Sequence, residues 1–327
     1  MATFANVAAP GENTALGGGA AQRDLFLKKF SGEVLATFNT LTMAKQHIRI
    51  RNVSGQKSAQ FPAIGRATAS YHQPGEEIDG QTIAHGETIL TIDDLLISPV
   101  FISNFLEAMT HFETRGEYAR QMGDSLAQAY DQKVFATAIK ACVAETAGPI
   151  AGFGAASKAA LGTTPTIADI VDAIYDAQRI MDERDIPEND RVLFVTPSVY
   201  YDMVKDGRVL NRDYGNDAGS QSSASVLKVA NLPVYKTNNL AKDWSDGGAD
   251  DLAVEQAGAA STAYDVDATA VKFLVLQRQA LGAVHLMDIS TESEYSVRHQ
   301  GDLLVSRMAN GMGVLRPECL HIGQAVA

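Results

Sequence analysis

The chain has 327 residues, 46% hydrophobic and 20% charged, a composition that excludes wholesale disorder, a collagen-like repeat and a membrane bundle. Lys+Arg 27 against Asp+Glu 39 gives a formal net charge of −12. So acidic a chain lacks the field that draws proteins onto phosphate backbones. Its cysteines, Cys142 and Cys319, stand far apart without CxxC or ligand-like spacing, which signals neither a disulfide scaffold nor a zinc site and fits a reducing compartment. The opening MATFANVAAP has no basic stretch and no sustained apolar run, so the expectation is a cytosolic product.

Residues 1 to 22, ending in ALGGGAAQ, are small and almost uncharged and predict a mobile arm. From Arg23 to Thr42, Leu25, Phe26, Phe30, Val34, Leu35 and Phe38 recur at spacings of one, three and four. That spacing predicts a short amphipathic helix. Between Asn52 and Asp94 helical periodicity is lost, and Pro74-Gly75 and Asp79-Gly80 mark turns. The expectation is a long hairpin or loop with no core of its own, its arms reaching about 50 Å at ~3.4 Å per residue.

Ser98-Pro99 predicts the start of a helical turn. Beyond it Phe112, Tyr118, Met122, Leu126, Tyr130, Val134, Ala138 and Cys142 trace one helical stripe. It predicts a spine from about Glu113 to Val143, about 45 Å long at ~1.5 Å per residue. Gly148 to Thr164 reads as a small-residue connector. Thr166 with Asp169 forms a capping-box pattern ahead of a helix ending near Asp185, and a strand follows over Arg191 to Val195. Thr196-Pro197 opens a helix through Met203, 211 to 225 is loop, and Leu232 to Lys236 is a strand. Together these predict a compact α/β domain over about 165 to 280. Strands are expected at Val271 to Gln277, Leu281 to Ile289, Glu294 to Arg298 and Leu303 to Met308.

Motifs that carry chemistry are missing. Glycines 17 to 19 lack a following GK[ST], and Gly311-Met312-Gly313 is a bare GxG, read as turn geometry rather than cofactor binding. The histidines, among them His111 at the start of the spine, show no HExxH and no i, i+4 pair, which gives no metal site. Glu76-Glu77 and Asp93-Asp94 sit beside turns and read as solvated or capping carboxylates. With no GxSxG elbow and no His beside either cysteine, the reading is of a protein that is not an enzyme and uses no cofactor or metal. Two-stranded hairpins are marginal alone in water, so a long arm of this kind needs a neighbour to lie on. Assembly is the inference.

At this point the sequence resembles the major capsid proteins of short-tailed double-stranded DNA bacteriophages, the podoviruses of autographivirus type that carry their own single-subunit RNA polymerase. The resemblance rests on DLFLKKFSGEVLATF (24 to 38), SGQKSAQFPAIGRATASYHQPGEEIDG (54 to 80), TIDDLLI (91 to 97), EAMTHFETRGEYARQMGDSLAQAYD (107 to 131) and GMGVLRPE (311 to 318). It implies an α+β chain with the Hong Kong 97 phage capsid fold. Its parts would be an N-terminal arm with a short helix (1 to 51), an extended loop (52 to 92), a peripheral domain with the spine helix (93 to 164), an axial domain (165 to 280), and strands returning to the peripheral domain (281 to 327).

The function implied is a shell subunit that forms the pentamers and hexamers of an icosahedral capsid around a double-stranded DNA genome, held by confinement without sequence-specific contact. Implied partners are further copies of the chain, a scaffolding protein, a portal protein and a cement or decoration protein, in a virion assembled in the host bacterial cytoplasm. Expected inter-subunit residues are Lys57, Phe61, Arg66, Tyr71, Glu76 and Glu77 of the loop, with Phe26 and Phe30 of the arm. Some capsids of this fold cross-link through a loop lysine; Lys57 is read instead as solvated or salt-bridging. Two rivals stand beside this reading: an encapsulin-like nanocompartment shell that packages enzymes, and, more remotely, a soluble α/β enzyme.

Overall fold

The computed structural model describes residues 18–73, 75, 77–78, 80–109, 115–150, 152–206, 228–245, 255–256, 259–260 and 263–326. The arm over 1 to 17, His111 and Phe112 before the spine, and the loop over 211 to 225 lie outside the described residues.

The first helix, α1 (Gly18–Leu41), begins earlier than predicted, because Ala20 and Ala21 are strong helix formers and carry it back toward the glycines. After a 3-10 turn (Ala44–His47) come β1 (Arg49–Asn52), β2 (Ser58–Ile64) and β3 (His85–Thr91). Residues 96 to 103 form β4 (Leu96–Ser103), so the expected helical turn at Ser98-Pro99 is corrected to a strand. Pro99 is tolerated because β4 pairs on one side only, opposite Val305, and proline without its N–H belongs on edges. A short α2 (Asn104–Met109) precedes the spine, α3 (Arg115–Val143).

Within the expected connector lies a strand, β5 (Ser157–Leu161). The capping box is present: Asp169 N–H donates to Thr166 Oγ1 while Thr166 N–H donates to Asp169 Oδ2, starting α4 (Ile167–Glu183). Next come β6 (Arg191–Val195), α5 (Pro197–Lys205), β7 (Lys228–Val229) and β8 (Leu232–Lys236). A small pair, β9 (Glu255–Gln256) and β10 (Ala259–Ala260), leads to β11 (Val271–Gln277). The two strands expected over 281 to 298 are one, β12 (Leu281–Ser296). It turns through Gln300, at φ 51°, into β13 (Gly301–Val314), and β14 (Leu320–Ala325) ends the chain.

Two compact units emerge. The first comprises the chain up to Thr42, Leu95–Tyr130 and Met287–Ala309. Its core joins Phe30 and Val34 of α1, Ala119 and Met122 of α3, Ile102 of β4 and Leu304 of β13. α1 and α3 approach so closely that a Cβ on Gly123 would stand 2.8 Å from the Val34 carbonyl oxygen. Only glycine allows that approach.

The second unit comprises Met43–Asp94, Asp131–Leu286 and the chain from Asn310. Its frame is a six-stranded mixed sheet in the order β5-β14-β11-β6-β8-β7. β6 is buried at every position, as a strand covered on both faces must be. α4 lays Ile170, Ala173, Ile174, Ala177 and Met181 inward. In the same unit β1 runs parallel to the start of β12, pairing Arg49 with Gly282, and β2 pairs antiparallel with β3 from Ser58 opposite Thr91 to Ile64 opposite His85.

Candidate functional site

The β2–β3 hairpin carries the feature that most needs a partner. Ala59 and Phe61 of β2 and Leu90 of β3 point to one face and are buried, since alternate residues of a strand share a face. Leu90 and the Thr91 carbonyl lie where Cβ atoms on Gly313 and Gly311 would stand, at 2.3 Å from Leu90 Cδ2 and 1.9 Å from the Thr91 oxygen. Gly311-Met312-Gly313 is therefore a bed that lets β3 lie on β13; it lies within the strand β13, so the expected turn there is corrected to a close approach of two strands. The expectation of a loop without a core is corrected, because the lower hairpin is packed into its own chain.

Above the hairpin the character changes. The Gly65 N–H donates to the Ala84 carbonyl at 2.8 Å, and Gln81 clamps Thr68 by accepting from its N–H and hydroxyl at 2.9 and 2.8 Å. From residue 69 to 80 the described residues are exposed, with Tyr71 at 105% and Ile78 at 78% relative accessibility. This arch has no cover within its own chain among the described residues.

The root of the hairpin is basic and aromatic. The Arg49 and Arg51 guanidiniums each stand 5.8 Å from the Phe61 ring centroid, a favourable cation–π distance. Arg66 donates to Asp185 Oδ2 at 2.7 Å and to the Arg184 carbonyl at 2.8 Å, and its guanidinium stands 5.4 Å from the Phe153 ring. A groove of about 550 Å³ runs among Arg49, Phe61, Arg66, Phe153 and Arg316.

Of the sequence-predicted interface residues, Lys57, Tyr71 and Glu77 are exposed, and Arg66 is exposed while bonded within its own chain. Phe61 at 5% and Phe30 at 2% exposure correct their expected places: each is covered by its own unit and offers no free apolar area. Glu76 and the Phe26 side chain lie outside the described residues. The sequence reading missed Arg49 and Arg51, whose i, i+2 spacing on a strand puts both cations on one face.

Below the loop lies a buried polar cluster. Lys133 Nζ donates to Asp93 Oδ2 at 3.1 Å and to Asn310 Oδ1 at 3.4 Å, and the Tyr264 hydroxyl donates to the same Asp93 oxygen at 2.6 Å. Burial first, and then the Asp93 charge, raise the Tyr264 pKa well above its ordinary value. Asp131 accepts from the Met43 and Ala44 N–H groups at 3.0 and 3.1 Å, yet burial outweighs those bonds and pushes its pKa up to about 6. His321, stacked on Phe273 and bonded through Nδ1 to Ser157, is driven down to about 4, mainly by burial. Cys142 and Cys319 are buried free thiols; burial lifts Cys319 to about 12 and Cys142 higher still, so neither is an activated nucleophile. No group of His, Cys, Asp and Glu able to hold a metal ion occurs among the described residues.

A long spine and a loop arch left uncovered among the described residues suit a subunit that joins a shell: the fold is the α+β Hong Kong 97 phage capsid fold. Residues 60–322 match the family described as Gp10A-like major capsid protein, and the chain belongs to that family. It is 32% identical over 310 residues to the major capsid protein of Escherichia phage T7, covering 90% of each chain. To that of Enterobacteria phage T3 it is 31% identical over 339 residues, covering 94% of each. Among solved structures it is similar to the capsid of cyanophage P-SCSP1u, with TM-score 0.74 and 34% identity over 87% of this chain and 88% of that one. The protein is the structural major capsid protein of a short-tailed phage, a component of the virion shell, and the nanocompartment reading falls away.

Proposed function

We propose that this subunit assembles into the pentamers and hexamers of an icosahedral shell that encloses double-stranded DNA, and that it acts as a building element with no enzymatic step. One observation carries the reading: the arch from 69 to 80 holds Tyr71 and Ile78 out in solvent, and apolar area of that kind is retained where a neighbouring molecule covers it. In this reading 52 to 92 is the extended inter-subunit loop, 93 to 164 with 281 to 327 the peripheral domain, and 165 to 280 the axial domain. Lys57, Arg66, Tyr71, Glu76 and Glu77 meet neighbouring copies directly, whereas Phe61 and Phe30 act by holding the loop root and the arm helix in position.

Scaffolding, portal and cement or decoration proteins are the partners such a shell uses, and assembly takes place in the bacterial cytoplasm. The net charge of −12 opposes tight binding to duplex, so the wall confines the genome. Electron microscopy and sedimentation of the full chain expressed with a scaffold test the reading: closed particles are expected, and a stable monomer or dimer at high concentration overturns it.

A further inference from the structure

We propose that the basic edge formed by Arg49 and Arg51 around Phe61 is the receptor for the acidic arch, residues 75 to 79, of a second copy of this chain. The inference rests on the shell reading above and names the two surfaces that meet.

The receptor is a built surface. β1 pairs on one side only, and all four of its residues are exposed. Arg49 and Arg51 flank the buried Phe61 ring, and Arg51 Nη1 also donates to the Gln60 carbonyl at 2.6 Å. Both guanidiniums are thereby oriented, yet neither has a carboxylate in ion-pair distance among the described residues, whereas Arg66 and Arg316 beside them hold Asp185 and Glu318. Glu87 is the one acid in the recess that Arg51 shares with Lys57. In a chain of net charge −12, two oriented arginines on one exposed edge, without an ion-pair partner among the described residues, call for an anion from outside.

The chain carries a matching anion. Gly75-Glu76-Glu77-Ile78-Asp79 is the most acidic stretch of the loop, Glu77 is exposed, and no described residue between 69 and 80 makes an ion pair within the chain. Carboxylates suit the planar fork of arginine, and Ile78, at 78% exposure, supplies apolar area beside them. Loop of one copy to edge of the next is a head-to-tail contact, the kind that repeats around a ring until it closes. Opposite charges across such a contact fix its register and its partner.

The test uses the full chain under conditions where the wild type forms shells. Glu76→Arg/Glu77→Arg and Arg49→Glu/Arg51→Glu each reduce particle yield roughly tenfold, the scale of one interfacial charge pair. The combined charge swap recovers most of that yield. Circular dichroism of unassembled subunits separates folding from assembly. As a readout independent of charge, Glu77→Cys with Arg51→Cys forms a disulfide ladder of multimers in oxidised shells, and neither single cysteine does so.

Absence of both the rescue and the ladder in a chain that still builds shells overturns this pairing and leaves the shell reading intact. Normal shells from Arg49→Glu/Arg51→Glu that have lost another component assign the edge to that component and likewise overturn it. A wild type that builds no shell at all overturns the shell reading, and this pairing with it.

Discussion

Lys133 and Asp93 form an ion pair at 3.1 Å with side chains only 3% and 0% exposed. Such a pair draws little net stability from its own attraction, because the desolvation of two charges offsets most of it. It persists because its neighbours complete it: Tyr264 donates to the same carboxylate oxygen, the Met312 N–H donates to the Tyr264 oxygen at 3.3 Å, and Asn310 accepts from Lys133. The cluster binds the base of the loop to the spine and to β13.

Removing one partner leaves the other charge buried and unpaired. Asp93→Ala is expected to destabilise the unassembled subunit by about 3–5 kcal/mol, while Asp93→Leu with Lys133→Met costs clearly less than the two single changes added together. Urea unfolding of these variants, the two single changes and the wild type measures this, and additive losses would show that the two residues are not energetically coupled.

A second weak point is the crossing of α1 and α3. Gly123→Val places methyl groups where the Val34 carbonyl oxygen and Thr37 already stand. The helices must separate, at a cost of about 1–3 kcal/mol for overpacking, which outweighs the few tenths of a kcal/mol by which valine is the better helix former than glycine. A lower melting temperature together with faster proteolysis in α1 is expected; a variant that melts with the wild type would show that the crossing accommodates a side chain.

How much of this was readable depended on how each segment advertises its surroundings. α4 was legible because Thr166 and Asp169 cap it and its apolar residues keep helical spacing along one face. The loop root was also written in the sequence, for Ala59 and Phe61, and Leu90 and Ile92, stand two apart as strand residues with one covered face do. The turn residues between them hid that signal. β5, Ser-Lys-Ala-Ala-Leu, carries no strand signature of its own, and it is a strand because β14 offers it a parallel edge from His321 to Ala325, a tertiary effect that overrides local preference. Lys133 misleads in the other direction: a lysine on a helix reads as solvated, and only the distant Asp93 and Asn310 make its burial possible. At the candidate site the exposed Tyr71 and Glu77 were legible from the turn-rich arch, but Arg49 and Arg51 became a site only when the fold brought Phe61 within 5.8 Å of both.

The pH dependence of stability combines two buried groups with opposite signs. Asp131 has a folded pKa of about 6 against 3.8 ordinarily, so the folded state binds more protons and stability falls as pH rises from about 4 to 6. His321 has a folded pKa of about 4 against 6.5, so the unfolded state binds more protons and stability rises from about 4 to 6.5. Each shift of roughly two units corresponds to about 3 kcal/mol at 1.36 kcal/mol per unit. The two contributions nearly cancel in the wild type. Asp131→Asn removes one, so its stability is expected to climb by about 2 kcal/mol between pH 4.5 and 7 relative to the wild-type profile; parallel profiles in urea unfolding would contradict the assignment.

The last prediction separates the root of the loop from its arch. Phe61 is covered by its own chain, flanked by Arg49 and Arg51, so Phe61→Ala is expected to destabilise the unassembled subunit by about 3–5 kcal/mol, through lost burial and the cavity left behind. Tyr71 is fully exposed, at 105% relative accessibility, so Tyr71→Ala changes subunit stability by less than about 0.5 kcal/mol. In a shell the order reverses. A tyrosine buried against a neighbour contributes a few kcal/mol at ~25 cal/mol/Å², repeated at every copy, so Tyr71→Ala leaves a normally folded subunit that assembles poorly or yields shells that open at lower temperature. Urea unfolding of subunits set beside particle yield and shell melting decides the matter. Equal effects of the two substitutions on subunit folding, or no effect of Tyr71→Ala on shells, would remove the distinction between a loop root that belongs to its own core and an arch that belongs to the next subunit.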